Sequence, residues 1–285
     1  MTNQRERDLV DGEVLAFVRT AESAEGYPLE SSDRIPSLQA ARFASELTNL
    51  AGLPVSARTL AFVAQCRRGE AFAFEREGDL PTLPGTYYAL RVLTLAGKPW
   101  REPATTRWIT ERLFDDRGRL AVGMDELFYG ARALMLLEAD LPQSARKEIL
   151  EFLRARRSPE GGYGPDRGEP ADIQRTYCAI SLRGWLHDGA RVEEDEGLAE
   201  WIAGCHRDGR MHLSPSSGEW SLGTAASGHR CADVLGLAWP WNEAREFAES
   251  HRREDGGFGL GAASTLWETY CGLRTIQLAD EHTRL

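Results

Sequence analysis

Apolar side chains along this chain recur at the three- and four-residue spacing of helices that bury one face. The pattern predicts a first helix over residues 8–21, a loop, and a second helix over residues 37–50. This pair of helices then recurs, and a bulky aromatic residue marks the first helix of each copy: Phe17, Phe62, Trp108, Phe152, Trp201 and Phe247. The anchors lie 45, 46, 44, 49 and 46 residues apart. So regular a period predicts six repeats of one helical hairpin.

The six repeats are expected over residues 8–54, 55–99, 100–142, 143–190, 191–240 and 241–285. Hairpins of this length form either an open solenoid of the HEAT type or a closed ring. The second helices are apolar around much of their circumference, as expected for an inner ring covered by an outer one. We therefore expect an all-α fold: a single (α/α)6 barrel over residues 1–285, with the first helices outside and the second helices inside.

Composition narrows the function classes. The net charge of −10, without a long run of Lys and Arg, argues against a nucleic-acid partner. The polar first residues lack the apolar core of a signal sequence, and no later run is long enough to span a bilayer. The five cysteines are scattered and contain no Cys-x-x-Cys pair, which favours reduced thiols and a cytoplasmic location.

One motif occurs twice. Gly-Gly-Tyr-Gly at residues 161–164 precedes Thr-Tyr-Cys at 176–178, and Gly-Gly-Phe-Gly at 256–259 precedes Thr-Tyr-Cys at 269–271. A glycine turn that leads into Asp-x-x-x-Thr-Tyr resembles the repeats of protein prenyltransferase β subunits and of squalene and other terpene cyclases. The resemblance implies a six-hairpin toroid around an apolar cavity that accepts an isoprenoid-type hydrophobic small molecule. It leaves a protein partner unknown.

The resemblance also bears on metal binding. In the zinc prenyltransferases, an Asp-x-Cys at one inner helix head and a His at another bind the metal. The matching segments here read Asp172-Ile173-Gln174 and, in the sixth repeat, 265–268 without a His. Zinc needs about four ligands, so we expect no metal site and no cofactor, with magnesium only if the substrate is a diphosphate. Asp172 has an alternative role as a helix cap.

Class II terpene cyclases carry Asp-x-Asp-Asp-Thr at this helix head, and its central Asp protonates the substrate. Here Gln174 stands at that position, and an amide cannot supply the proton. The candidate replacement acids at equivalent helix heads are Asp125, Glu126, Asp172 and Glu268. Glu268 is the first choice because aromatic residues flank it, and Asp125 is the second. The alternative interpretation is that Glu268 pairs with Arg175 and that the acids of the third repeat face solvent.

Substrate-binding candidates fall into three groups. Aromatic side chains predicted to face the cavity are Phe43, Tyr88, Tyr129 and Trp267, either as carbocation-stabilising faces or as ordinary core. Cysteines that share one register of the inner helices are Cys178, Cys231 and Cys271, most simply as small buried side chains. Polar residues that could contact a substrate head group are Gln174, Arg175, His229 and Arg230, the last two placed at the head of the fifth inner helix.

Four function classes stay open at this point. We favour a single-domain terpene cyclase-like enzyme that uses a non-standard acid. A non-catalytic isoprenoid binder, or a protein prenyltransferase-like subunit with zinc and a partner chain, are the alternatives. A sugar-active α/α barrel is a fourth.

Overall fold

A computed structural model describes residues 10–23, 25–28, 35–186 and 196–283 of the chain. In this part of the chain the predicted pairs of helices are present, and helices account for nearly all regular structure. The twelve helices are α1 (Gly12–Thr20), α2 (Leu38–Leu50), α3 (Ala57–Gln65), α4 (Leu83–Leu95), α5 (Pro103–Leu113), α6 (Met124–Leu136), α7 (Gln143–Ala155), α8 (Ile173–Leu186), α9 (Glu196–Cys205), α10 (Leu222–Val234), α11 (Trp241–Glu249) and α12 (Leu266–Thr283). None of them is both long and apolar enough to cross a bilayer.

Two very short β-hairpins interrupt the helices. Strand β1 (Arg67–Arg68) pairs antiparallel with β2 (Ala71–Phe72), and β3 (His206–Arg207) pairs antiparallel with β4 (Arg210–Met211). Each hairpin lies between the first and second helix of one repeat. Strands of two residues do not form a sheet layer, so the all-α prediction is confirmed.

Helix capping explains where the first two helices begin. The first helix starts at Gly12, not at residue 8, because the Asp11 carboxylate accepts the N–H groups of Glu13 at 3.1 Å and Val14 at 3.0 Å. Residues 8 and 9 lie outside the described part of the chain. The second helix begins one residue after the predicted position, because Ser37 is its cap and accepts the N–H of Ala40 at 3.2 Å.

The chain divides into two compact units. Unit 1 is formed by Met1–Arg112, Tyr129–Ala139 and His251–Leu273. Unit 2 is formed by Leu113–Phe128, Asp140–Ser250 and Arg274–Leu285. Helices α6 and α12 contribute residues to both. A single domain over residues 1–285 therefore stays a prediction, as do the exact boundaries of the six repeats.

Within a repeat, the second helix is more enclosed than the first. In unit 1, α2 buries nine of its 13 residues and α4 eight of 13, whereas α3 buries three of nine. In unit 2, α8 buries seven of 14, whereas α7 buries three of 13. A helix that is buried on most sides is covered by neighbours all round, which is the environment predicted for the second helices.

The doubled glycine of the motif allows close packing against an aromatic anchor. In unit 2, Gly161 has φ of 133°, and a Cβ there would lie 2.3 Å from the Gly197 carbonyl oxygen and 2.5 Å from Trp201 Cβ. A Cβ on Gly162 would lie 2.7 Å from the Trp201 indole ring. The turn of the fourth repeat therefore packs against the anchor of the fifth, at a separation that only glycine permits.

The second copy of the motif makes the same contact within unit 1. A Cβ on Gly256 would lie 2.4 Å from the Glu13 carbonyl oxygen, and one on Gly257 would lie 3.1 Å from the Phe17 ring. Arg252 also forms ion pairs with Asp11 and Glu13. The sixth repeat thus contacts the anchor of the first. An open solenoid has no contact between its terminal repeats because each repeat touches only its neighbours.

The threonine of the motif ties the turn to the inner helix. The hydroxyl groups of Thr176 and Thr269 accept the backbone N–H groups of Tyr163 at 2.9 Å and Phe258 at 3.0 Å. Thr86 accepts the N–H of Phe72 at 3.1 Å in the same way. All three threonines are fully buried. The Thr-Tyr-Cys triplet therefore has a structural reason for its first member, since a buried N–H without a partner is costly.

We expect Gly161→Ala to lower the free energy of unfolding by about 2–5 kcal/mol, because it adds left-handed backbone strain to a clash with Trp201 and its neighbours. Gly168→Ala is the matched control: its φ is 81°, but nothing lies within 4 Å of a Cβ there. This variant should lower the free energy of unfolding by about 1–2 kcal/mol, through backbone strain alone. Urea denaturation measures both, and equal losses would contradict the packing role of the turn.

Candidate functional site

The head of α8 in unit 2 carries a carboxyl group that combines two roles. Asp172 precedes the helix, and its Oδ1 accepts the N–H of Arg175 at 2.8 Å, so the capping role is confirmed. Burial raises the pKa of Asp172, against the lowering effect of the Arg175 hydrogen bond and charge. The side chain is 15% exposed. Among the predicted acids, this one has both a desolvated carboxyl and a pKa shifted towards the protonated form.

Arg175 links the heads of α6 and α8. Its Nη2 donates to Asp125 Oδ2 at 2.7 Å, and its Nη1 lies 3.6 Å from Asp172 Oδ2. Nη1 also donates to Gln174 Oε1 at 3.4 Å. The structure therefore brings four predicted site residues together in unit 2. Asp125 is 55% exposed, so of the two carboxyl groups it is the solvated one.

Both carboxylate oxygens of Glu268 accept hydrogen bonds from residues of its own turn. Its Oε1 accepts the N–H of Leu260 at 3.2 Å, and its Oε2 accepts the Thr265 hydroxyl at 3.1 Å. The Glu268 N–H in turn donates to the Thr265 hydroxyl at 3.0 Å, which closes a reciprocal cap at the head of α12. Both carboxylate oxygens thus hold the turn to the helix. Arg175 pairs with Asp125 and Asp172 within unit 2, and the pairing of Glu268 with Arg175 stays a prediction.

Glu126 lies one residue beyond Asp125 and is exposed. A general acid kept protonated by desolvation needs the opposite environment. The interpretation that the acids of the third repeat face solvent therefore fits Glu126, while Asp125 is held by Arg175.

The fifth inner helix begins earlier in the chain than the sequence analysis predicted. Helix α10 begins at Leu222, because Ser221 and Thr224 form a capping box there. His229 and Arg230 consequently lie two turns into the helix. His229 is 1% exposed, and burial lowers its pKa to about 3, so its imidazole is neutral and unsuited to a diphosphate. Arg230 pairs with Asp233 at 2.7 Å.

The same shift changes the register of the cysteines. Cys178 and Cys271 each lie two residues after a motif threonine and share one position of their helices. Cys231 lies seven residues after Thr224, the threonine of its own capping box, so it does not share that position. All three cysteines are buried, and burial raises the pKa of Cys231 and of Cys271. The three cysteines therefore fit the interpretation that they are small buried side chains.

The predicted aromatic residues form two pairs in unit 1. The Phe43 ring packs on Trp267 with centroids 4.9 Å apart, and Tyr88 packs edge-on to Tyr129 at 5.4 Å. Phe43 and Tyr88 are 1% and 2% exposed. The two pairs behave as packed core. A role for them in holding a substrate stays a prediction.

Sequence reasoning missed a cation among these rings. The Arg42 guanidinium lies over Phe43 at 4.6 Å and over Tyr270 at 4.8 Å from the ring centroids. A resident cation already occupies the ring faces that were expected to stabilise a carbocation. The available signal was Arg42 and Glu46 at i,i+4 on a helix that is otherwise apolar.

Within residues 10–23, 25–28, 35–186 and 196–283, no three His, Cys, Asp or Glu side chains converge as a metal site would require. The expectation of a protein without zinc stays a prediction.

Asp172→Asn should be at least as stable as the wild type at neutral pH. Because the pKa of Asp172 is raised in the fold, its contribution to stability is present at low pH and is lost as pH rises through the folded pKa. Asn keeps the cap without the desolvation cost. Urea unfolding at acid and neutral pH measures the difference between variant and wild type.

Asp115→Asn is the control of opposite sign. A backbone hydrogen bond from Arg119 is the main cause that lowers the pKa of Asp115, so its contribution is lost as pH falls. If Asp172→Asn instead destabilises the protein more at neutral than at acid pH, the raised pKa is wrong.

Solved structures share this fold. Protein geranylgeranyltransferase-I of Candida albicans, complexed with GGPP, matches with a TM-score of 0.68 at 13% identity over 86% of this chain and 84% of that one. The type II terpene cyclase MstE of Scytonema matches with a TM-score of 0.66 at 10% identity over 98% and 99%. An α-amylase of Clostridium perfringens matches with a TM-score of 0.62 at 13% identity over 98% of each chain. At these identities the likeness establishes the fold alone.

A family match extends over the second half of the chain and beyond. The family described as "Prenyltransferase alpha-alpha toroid domain" matches residues 119–285, more than half of the 285 residues. The matched stretch contains both Gly-Gly-aromatic-Gly turns and the helix head with Asp172. The chain belongs to the prenyltransferase α-α toroid domain family, and its fold is the α/α toroid predicted from the repeat.

Proposed function

We propose that this protein is a terpene cyclase-like enzyme that protonates an isoprenoid substrate, with Asp172 as the acid. The observation that carries the proposal is the environment of this carboxyl group. It is 15% exposed, its pKa is raised by burial, and it lies two residues before Gln174, which holds the position of the acid in class II cyclases. A desolvated carboxyl group keeps its proton at the pH where a general acid must act.

The comparisons support an isoprenoid as the substrate class. One protein of this fold is complexed with GGPP and another is a type II terpene cyclase. The α-amylase in the same group shows that the fold also serves other chemistry. The choice between these rests on the chain's own residues, where one largely desolvated acid at a helix head, Asp172, suits protonation of an alkene.

The proposed step is an isomerisation. The carboxyl proton of Asp172 adds to one carbon of an alkene, whose π electrons form the new C–H bond and leave a cation on the other carbon. An internal double bond attacks that cation and forms a C–C bond. Loss of a proton to water then restores an alkene, and the Asp172 carboxylate takes up a proton from solvent. Asp172 donates the proton and regains one from solvent, while Arg175 positions its carboxylate.

A non-catalytic isoprenoid binder is the second candidate. The observation in its favour is that Asp172 already caps α8 and lies 3.6 Å from Arg175, a cation that stabilises the ionised carboxylate. In that case Asp172 has only a structural role, and the protein keeps the toroid fold but does not protonate its ligand. A protein prenyltransferase-like subunit has less support, since Gln174 replaces the zinc-binding thiolate.

Asp172→Asn should abolish conversion of farnesyl or geranylgeranyl substrates, because the amide has no proton to donate. A proton supplied by the enzyme would appear as one deuterium per product in deuterated water, read by mass spectrometry. Asp115→Asn, a substitution at a partly exposed Asp in the same unit, should convert substrate at the wild-type rate.

Two further variants identify the donor if this assignment is wrong. Full activity of Asp172→Asn together with loss of activity in Glu268→Gln or Asp125→Asn would move the acid to those residues. A wild type that binds geranylgeranyl diphosphate and never converts it would favour the binder.

We also propose that the protein works without a tightly bound metal or other cofactor. Purified protein should contain no stoichiometric zinc, since only Asp172 occupies a position that is a ligand in zinc prenyltransferases. Elemental analysis after expression with added zinc tests this. About one zinc per chain that resists dialysis would contradict the expectation and favour the prenyltransferase interpretation.

A further inference from the structure

A buried arginine in unit 1 is short of hydrogen-bond partners. The Arg42 side chain is 11% exposed. Its Nη2 donates to the Tyr270 hydroxyl oxygen at 3.1 Å, whereas its Nε is buried and has no hydrogen bond. A buried donor without a partner costs free energy, more when the group is charged. An arginine cannot escape that cost by losing its proton.

The negative charge near Arg42 is shared. Glu46 Oε1 lies 3.6 Å from Arg42 Nε, beyond hydrogen-bond range. The same carboxylate accepts two hydrogen bonds from Arg91, at 2.7 Å from Nε and at 3.0 Å from Nη2. Among the described residues, Glu46 is the carboxylate that both guanidinium groups use. The buried charge of Arg42 and the partly exposed charge of Arg91 therefore face one negative charge, and the geometry favours Arg91.

A third guanidinium group, that of Arg132, contacts a tyrosine beside Arg42. Arg132 Nε donates to the Tyr87 hydroxyl oxygen at 3.1 Å, and the Arg42 guanidinium lies 5.8 Å from the Tyr87 ring centroid. Burial alone would raise the pKa of Tyr87, yet the Arg42 and Arg132 charges lower it overall. The local field thus stabilises a negative charge at the Tyr87 oxygen strongly enough to outweigh desolvation.

We propose that these residues form a binding site for an oxyanion, a phosphate, diphosphate or carboxylate group that contacts Arg42 and lies beside Tyr87. The Arg42 cluster consists of Arg42, Glu46, Tyr87, Arg91, Arg132 and Tyr270. A planar guanidinium with a free donor matches the oxygens of such a group. The same cluster disfavours a carbocation, because its own cation already covers the rings of Phe43 and Tyr270.

The oxyanion has two possible sources, a free ion or the head group of a prenyl ligand. The second source rests on the proposed function, since it requires an isoprenoid tail. The anion site itself does not, because inorganic diphosphate alone can test it. Failure of cyclisation in the Asp172 experiment therefore leaves this test unaffected.

The test is isothermal titration calorimetry of the full chain with inorganic diphosphate. We expect the wild type to bind, and Arg42→Gln to bind roughly tenfold or more weakly, the loss of one charge-assisted hydrogen bond. Glu46→Gln should bind severalfold more tightly, because it removes the carboxylate that competes for Arg42. Arg67→Gln is the matched control: Arg67 also lies over an aromatic ring, Trp100 at 4.8 Å, but is 43% exposed, and its variant should bind like the wild type.

Opposite effects of the Arg42 and Glu46 variants cannot come from partial unfolding, which would weaken binding in both. The competing explanation is that Tyr87 ionises and neutralises the cluster internally. Tyr87→Phe should retain diphosphate binding if the site takes an external anion. Diphosphate should also raise the pKa of Tyr87 in the wild type, followed by tyrosinate absorbance, since a bound anion cancels the field that lowers it.

The two sources are separated with geranylgeranyl diphosphate and geranylgeraniol. Binding of the diphosphate ester that depends on Arg42, with weaker binding of the alcohol, assigns the site to a prenyl head group. Binding of inorganic diphosphate alone assigns it to a free ion. Absence of diphosphate binding to the wild type, or equal affinities of wild type and Arg42→Gln, would overturn the proposal.

Discussion

The packing of a glycine turn against the aromatic anchor of the following repeat is the contact on which the rest of this structure depends. A Cβ on Gly161 or Gly162 would lie within 2.7 Å of its neighbours, so the turn and Trp201 are closer than any other residue would allow. That approach brings the buried hydroxyl of Thr176 within reach of the Tyr163 N–H at 2.9 Å. The turn is thereby fixed to the start of α8. At the two glycine motifs, the heads of α8 and α12 are thus held by a contact between repeats as well as by their own caps.

The period of the anchors was sufficient to predict the fold, because one supersecondary unit repeated six times leaves few arrangements. In the fifth repeat, the start of the inner helix was predicted wrongly, and the reason is physical. This repeat lacks the doubled glycine, and its inner helix starts from the capping box of Ser221 and Thr224. His229 was therefore assigned to a helix head while it lies buried within α10. Capping residues, when no motif is present, define register better than an aligned cysteine does.

The candidate site was less predictable than the fold. Asp172 could be found because the family motif survives around it, but the ion pair of Arg175 with Asp125 could not, because the heads of α6 and α8 are far apart in the sequence. Arg42 left a weaker trace, one charged pair at i,i+4 on an apolar helix. A buried cation follows no hydrophobic period, and its significance depends on rings from distant parts of the sequence, such as Tyr270.

The two units differ in the sign of charge that their interiors favour. In unit 2, burial raises the pKa of Asp172 against the charge of Arg175, so desolvation there favours a neutral, proton-donating carboxyl group. In unit 1, Arg42 and Arg132 lower the pKa of Tyr87 against its burial, so the field favours an anion. The proposed acid in unit 2 and the proposed anion site in unit 1 therefore depend on opposite electrostatic conditions, and each can be tested without the other.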